Sequence, residues 1–313
     1  MEFSRVLLAI ACAGFSLTQA AEPLKLIIPT APGGGTDGYF RVLAREVEPH
    51  LGETVVVMNV AGAGGTIGVA QMVRATPDGQ TVAGVWLGPV TVVPNTAKTP
   101  YTPNDYIPVI QVSSAPYVMC VHPEFPANDG KALIAEIRKN PDKYTYGNDG
   151  LGGPGHLGTA RILRATGTSA RDVPFKGAGE TLTNFLGKHV DIYVGSIPPI
   201  LQHMQQGRAK CLLVTSADRV PSLPNAASLS DLGIPNEETI LWRALLTPRG
   251  TPPERIAKLE NAFEKAANSA TAKKFLEDAG EQVAIRKGAA LKRYIDAEYE
   301  AMGKLAKALN LAP

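Results

Sequence analysis

The sequence predicts an α/β protein built as two sheet-and-helix units joined by a two-segment hinge. Three observations predict it: strand-like and helix-like segments alternate from residue 24 onward, the alternation restarts in mid-chain, and glycine-rich loops stand where strands give way to helices. A chain of 313 residues has room for two such units, each with its own core.

Leu24–Ile28 reads as a buried strand, continued by PTAPGGGTDG into a loop of three glycines. Phe40, Leu43, Val47 and Leu51 then fall at helical spacing, with Gly52 where a helix C-cap belongs. Residues 54–58 form a second strand, GAGG follows, and Ile67, Ala70 and Val73 mark a short helix. The PDG turn at 77–79 leads into a third strand, Thr81–Trp86. This βαβαβ order implies a mainly parallel sheet whose loops gather at the C-terminal edge of the strands.

After a proline-rich connection holding Pro94, Pro100, Pro103 and Pro108, the pattern restarts. Residues 143–146 read as a strand, followed by the loop NDGLGGPG and a helix carrying Leu157, Ala160 and Leu163, with Pro154 tolerated in its first turn. A strand at 172–175 leads to the loop KGAGE and a helix with Leu182, Phe185 and Leu186, and further strands read at 190–194 and 209–215. The C-terminal third reads as mostly helical, with one stripe through Ile256, Leu259, Phe263 and Ala266 and another through Leu291, Tyr294, Ile295, Met302 and Leu305. Such a tail, lacking a sheet of its own, needs an existing core to cover. The chain is therefore expected to cross between units near residue 112 and return near 218, making 21–112 with 218–313 domain I and 113–217 domain II.

Composition narrows the function. Hydrophobic residues at 44% and charged residues at 19% describe a soluble globular protein. A net charge of +2 with no basic run offers no nucleic-acid footprint, and five histidines without HxxxH or CxxC spacing offer no metal site. Residues 1–20 differ in kind: Arg5, an apolar run at 6–15 and the small residues around Thr18 and Ala20 make a secretory signal peptide, with a run too short for a membrane span. Cys12 lacks a convincing lipoprotein box before it. Cys120 and Cys211 remain after cleavage, each in a strand-like run, and stand either as a disulfide or as two buried thiols.

The chemistry gathers at the glycine loops. Gly33, Gly34 and Gly35, followed by Thr36, Asp37 and a helix, form a seat for an anion, because free N–H groups and the positive end of the helix dipole converge there. Ala63, Gly64 and Gly65 repeat the device after the next strand. Either loop alone is equally an ordinary tight turn; the pair side by side favours a ligand seat. Trp86, at a strand end beside these loops, either stacks on a flat ligand or covers the sheet edge. His156 reads as a hydrogen-bonding residue at a helix start, and Trp242 as packing where the chain returns to domain I.

Two enzyme classes are disfavoured. Gly33, Gly35 and Gly38 satisfy G-x-G-x-x-G, but Pro29 and Pro32 intervene after the strand and the second strand ends in Met58-Asn59 where a ribose-binding acid should stand. Ser196 sits in GSIP, without the second glycine of a nucleophile elbow.

Ordered motifs along nearly the whole mature chain resemble one family. IIPTAPGGGTD is similar to VPFxPGGxxD, VMNVAGAGGTIG to VENxxGAGGxxG, and VPFKGAGETLTNFLGKHVDI to the VPYKG segment with its downstream G-x-VD. These are motifs of the Bug proteins, the periplasmic solute-binding components of tripartite tricarboxylate transporters. The resemblance implies a two-lobed periplasmic-binding-protein fold of type II, a Venus flytrap of two doubly wound sheets. It also implies a monomer without cofactor or enzymatic activity, closing on a small organic acid: a di- or tricarboxylate, an aromatic acid or an amino acid. The loaded protein would dock on membrane transporter subunits or, alternatively, a sensor kinase. Domain I would hold the acid group through the two glycine loops; domain II would read the remainder through Asn148, Asp149, Gly150, Leu151, Gly152, Gly153, Lys176, Gly195 and Ser196. No arginine lies in the matching loops, which agrees with capture by backbone donors. Where many relatives carry SxGxGS, this chain has NDGLGG, so Asp149 either faces the cleft and repels a second carboxylate or caps the next helix or pairs with Lys176. Lys176 in turn either neutralises a ligand carboxylate or is a solvated loop charge.

Overall fold

The computed structural model describes residues 22–148, 150, 153–175, 178–309 and 311; the leader at 1–20 lies outside them. In chain order the first half runs β1 (Leu24–Ile28), α1 (Gly35–Leu51), β2 (Val55–Asn59), α2 (Thr66–Val73), β3 (Thr81–Trp86), α3 (Val93–Thr96) and β4 (Tyr106–Val121). The middle follows with α4 (Gly130–Lys139), β5 (Thr145–Asn148), α5 (Pro154–Thr166), β6 (Arg171–Pro174), α6 (Ala178–Leu186), β7 (Ile192–Ser196), α7 (Ile197–Gln205) and β8 (Lys210–Val214). The last third holds β9 (Ile240–Pro248), α8 (Pro253–Ala267), α9 (Ala270–Asp278), β10 (Gln282–Lys287) and α10 (Gly288–Ala308).

Strands β2, β1 and β3 pair in parallel as expected, and Gly52 closes α1 in the left-handed conformation that a C-cap glycine supplies. Beyond β3 the sheet departs from expectation. β9 pairs antiparallel with β3 and with β4, and β10 adds antiparallel to β4, so the C-terminal third contributes two strands rather than a purely helical cover. The reason is burial: ILWRALLTP in β9 lies between helical layers and is almost wholly buried, so its apolar run shows no alternation. Pro108, expected in a connection, lies within β4, at a register shift where a strand accommodates the missing donor.

β4 is shared. Its first part pairs with β9 from Tyr106 to Pro116, and its last part pairs with β7 and β8 from Tyr117 to Val121. The second sheet continues from β7 to β5 and β6 in parallel. Helices cover both faces of each sheet: α1, α8 and α9 pack on one side of the first around Phe40, Leu43 and Phe263, and α2 and α10 on the other around Val69, Leu291 and Trp242. Around the second sheet, α4 and α5 contribute Leu133, Ile137 and Ile162, while α6 and α7 contribute Phe185 and Ile200. Two doubly wound lobes result. Val220, Leu223 and Ala226 pack in the cluster that contains Phe185, so the chain is still with the second lobe past residue 218. Cys120 and Cys211, directly opposite in the β4–β8 register, form a disulfide.

Two connections join the lobes, and Thr215 ties them to each other. Its hydroxyl accepts from the Tyr117 N–H at 2.9 Å and donates to the Thr239 carbonyl at 2.6 Å, while the Thr239 N–H donates to the Thr215 carbonyl at 3.1 Å. Arg161 of α5 clamps the same return segment by donating to the carbonyls of Asn236 and Glu238 and to the Glu237 carboxylate. Thr215 is 1% exposed, so Thr215→Val would leave a buried backbone donor and acceptor unmet. The variant should lose about 1–3 kcal/mol in chemical denaturation; an unchanged midpoint and slope would refute the tie.

Beneath the return strand, Trp242 is fully buried and its indole N–H donates to Glu298 of α10. The other Glu298 carboxylate oxygen has no partner among the described residues. Burial pushes this carboxyl from 4.5 up to about 7, against the Trp242 hydrogen bond and the Arg161 charge. An acid with a raised folded-state pKa keeps its proton when the unfolded chain has lost it, so this group's effect on stability is most favourable below pH ~4.5 and worsens as pH rises toward 7. The loss attached to this one group is on the order of 3 kcal/mol. Glu298→Gln cannot ionise and should flatten the decline of thermal stability between pH 5 and pH 8; a slope equal to wild type would place the effect elsewhere.

Candidate functional site

The first glycine loop is fixed by side chains that converge on Asp37. Its carboxylate accepts from the Gly33 N–H at 2.9 Å, from Arg41 Nε at 3.0 Å and from Asn59 Nδ2 at 2.8 Å. Asn59, at the end of β2, also donates to the Thr30 carbonyl at 3.0 Å and accepts from Arg41 at 2.5 Å. Burial pushes the Asp37 carboxyl up, but hydrogen bonds from Arg41, Gly33 and Asn59, with the Arg41 charge, outweigh it and hold its pKa below the usual carboxylate range. Gly33 has φ +92°, a conformation that calls for glycine. The loop is thus held from inside. The next N–H groups, those of Gly35 and Thr36, open α1 and have no acceptor within the helix.

The second loop packs directly against the first. A Cβ on Gly65, which has φ +94°, would lie 3.1 Å from the Pro29 carbonyl and 2.9 Å from the Trp86 ring. Trp86, half-buried, therefore stands as a wall beside Gly65, and Gly64 lies against Val93. The structure brings Gly33, Gly34, Gly35, Thr36, Asp37, Ala63, Gly64, Gly65 and Trp86 to one end of the first sheet, as the βα order requires.

Across the second sheet, Asn148 ends β5 with 0% exposure; its amide donates to Asp172 and its oxygen accepts from the Gly150 N–H at 2.9 Å. Gly150 has φ +131°, and Gly153 opens α5. His156 lies 3.7 Å from Asp172, holding the α5 start against β6. Gly195 lies one residue before the end of β7, beside the Tyr193 ring, and Ser196 closes β7 and stands at the N-cap of α7. Asn148 thus fixes the start of the loop through Gly150. Asp149, Leu151, Gly152 and Lys176 lie outside the described residues.

One residue near the seat escaped sequence reasoning. Arg243, in β9, is buried, and its Nε donates to the Thr36 hydroxyl at 3.0 Å. A Cβ on Gly35 would stand 3.3 Å from Arg243 Nη2. The guanidinium also reaches Ser113 Oγ and pairs with Glu281. A signal existed: a single arginine in the apolar run ILWRALL demands a buried partner. A hollow of about 540 Å³ between α5 and α10, lined by Arg161, Arg164, Glu237, Glu300 and Lys304, holds none of the glycine-loop residues. Its Arg161–Glu237 pair belongs to the clamp on the return segment.

Comparisons with known proteins bear on the family and the fold. Residues 39–311 match the profile of the family described as the tripartite tricarboxylate transporter family receptor; the match begins just past the first glycine loop. The protein BugT of Bordetella pertussis is 32% identical over 259 residues, covering 80% of this chain and 78% of that one. A TctC solute binding protein from Polaromonas, solved with no ligand, superposes with a TM-score of 0.85 at 27% identity, covering 93% of this chain and 100% of that one. An R. palustris protein solved with adipate superposes with a TM-score of 0.72 at 27% identity, covering 93% and 98%.

Asp37→Ala should release the loop at Gly33, costing about 1–3 kcal/mol in denaturation at neutral pH and weakening carboxylate affinity in titration calorimetry. Because the folded-state pKa is depressed, the stability Asp37 contributes is present above its unfolded value and lost as pH falls through the folded one. The gap between wild type and variant should therefore close in acid. A gap that stays constant would show that the carboxylate charge is not what holds the loop.

Proposed function

Because the chain belongs to the tripartite tricarboxylate transporter receptor family, we propose that it is an exported receptor that closes two lobes around a small carboxylate and delivers it to a tripartite transporter. The observation that carries this reading is the pair of glycine loops at the ends of adjacent parallel strands, with backbone donors and a helix N-terminus turned to one side. Gly33 to Asp37 and Ala63 to Gly65 hold the acid group, and Trp86 forms a side wall. Asn148 to Gly153, Lys176, Gly195 and Ser196 meet the rest of the ligand from the other lobe. No covalent step is required of any of them, and the protein acts as a monomeric binder in the periplasm after loss of residues 1–20.

The division proposed from the sequence, residues 21–112 and 218–313 against 113–217, is kept with its return crossing moved to Thr239, a shift supported by Val220, Leu223 and Ala226 packing with the second lobe. Closure draws its free energy from a ligand that touches both sides, since only the closed form makes both sets of contacts. The adipate in the R. palustris relative supports a ligand with carboxylates at both ends of a short chain. Micromolar affinity would correspond to roughly 8 kcal/mol, net of the ordering that closure demands.

A thermal-shift screen of the mature protein against malate, succinate, adipate, benzoate and aspartate tests the reading. An acid present at a hundredfold its Kd should stabilise the fold by about 2.7 kcal/mol, a rise of several degrees. Stabilisation by sugars or nucleotides with none by any acid would overturn it.

A further inference from the structure

We propose that Arg243 is a specificity-determining residue of the carboxylate seat, adding a buried positive charge behind the first glycine loop that Glu281 holds in check. The proposal rests on the carboxylate reading above. Arg243 arises from β9, opposite Trp86 in one neighbouring strand and Ser113 in the other, so its backbone register points to the same sheet end as the loops. Its guanidinium is bonded to Thr36 in the first turn of α1, and its Nη2 would stand 3.3 Å from a Cβ on Gly35.

A cation beside a helix N-terminus stands at the unfavourable end of the helix dipole. Taking it out of water with its partner brings no net stability that apolar residues of equal volume could not supply. What the arrangement does supply is direction. The Arg243 end of the ion pair touches the loop, and the Glu281 end borders a cavity of about 380 Å³ lined also by Pro116, Ile197 and Ser222. The pair is therefore a dipole whose positive end faces the seat, reinforcing the N–H donors there. Asp37, on the other side of the loop, is already matched by Arg41 and Asn59, so it does not cancel this field. Tyr39 on α1 donates its hydroxyl to the Val112 carbonyl and contributes no charge. Glu277, on the cavity wall beyond Glu281, adds to the negative end.

Arg243 does not itself touch the ligand; it acts through Thr36 and the helix turn. A purely structural pair and an electrostatic one then differ in the sign of a single result. Neutralising Glu281 removes the internal counter-charge, so Glu281→Gln should bind the best acid of the malate, succinate, adipate, benzoate and aspartate panel about tenfold more tightly, even if the fold is less stable. Arg243→Lys keeps the charge and should stay within about threefold of wild type. The paired replacement Arg243→Met with Glu281→Leu keeps the volume, removes both charges and should bind about tenfold more weakly while melting within a few degrees of wild type. Titration calorimetry at two salt concentrations reads all three. Weaker binding by folded Glu281→Gln, or a wild-type Kd in the paired variant, would overturn the role of Arg243. If Glu281→Gln does not fold, the paired variant alone decides. If no acid of the panel binds wild type or any variant, the carboxylate reading itself falls, and this inference with it.

Discussion

A single threonine couples the two lobes. The Thr215 hydroxyl and peptide group bond both to Tyr117, where β4 passes from the first sheet to the second, and to Thr239, where the chain comes back. Both connections are thus stapled at one buried point, where Thr215 bonds to each. The continuity of β4 adds stiffness along its length, because a strand paired on both sides resists twisting more than a loop does. In the closure proposed above, fewer segments have to be ordered, so less of the binding free energy is given up to order them.

The same thrift with freedom governs the seat. A glycine loop is adaptable, and an adaptable loop loses conformational entropy when it grips a ligand. Asp37 removes that loss beforehand by taking the Gly33 N–H for itself, and Asn59 binds the loop to the neighbouring strand. One donor is spent internally so that those after it stay oriented. This division separates residues that shape the seat from backbone groups that contact the ligand, although both occur within five consecutive positions.

The parts of the fold that obey local rules were legible in the sequence. The strand–glycine–helix order located β1, β2, β3 and their loops, and Gly52 ended α1 where its chemistry requires. β4 and β9 were not legible, because a strand buried on both faces carries no alternation, and prolines at 108 and 116 mimic a connection. Reading the last third as helix followed from its strong stripes, which are real in α8 and α10 but say nothing of the strands between them. Arg243 was missed for a related reason. It lies more than two hundred residues from Thr36 in the chain, and only the antiparallel register of β9 against β3 brings it under the loop. The Cys120–Cys211 bridge likewise depends on the β4–β8 register.

The second lobe points to where ligand selectivity resides. Asn148 is wholly buried, its amide committed to Asp172 and its oxygen to Gly150. Its polar capacity thus goes into the loop's shape, as that of Asp37 does in the first lobe. Under the proposed binding role, the peptide N–H donors of the first loop recognise an oxyanion without distinguishing one acid from another. Discrimination must then come from cavity dimensions, from the Trp86 wall, and from fixed charges set behind the loops.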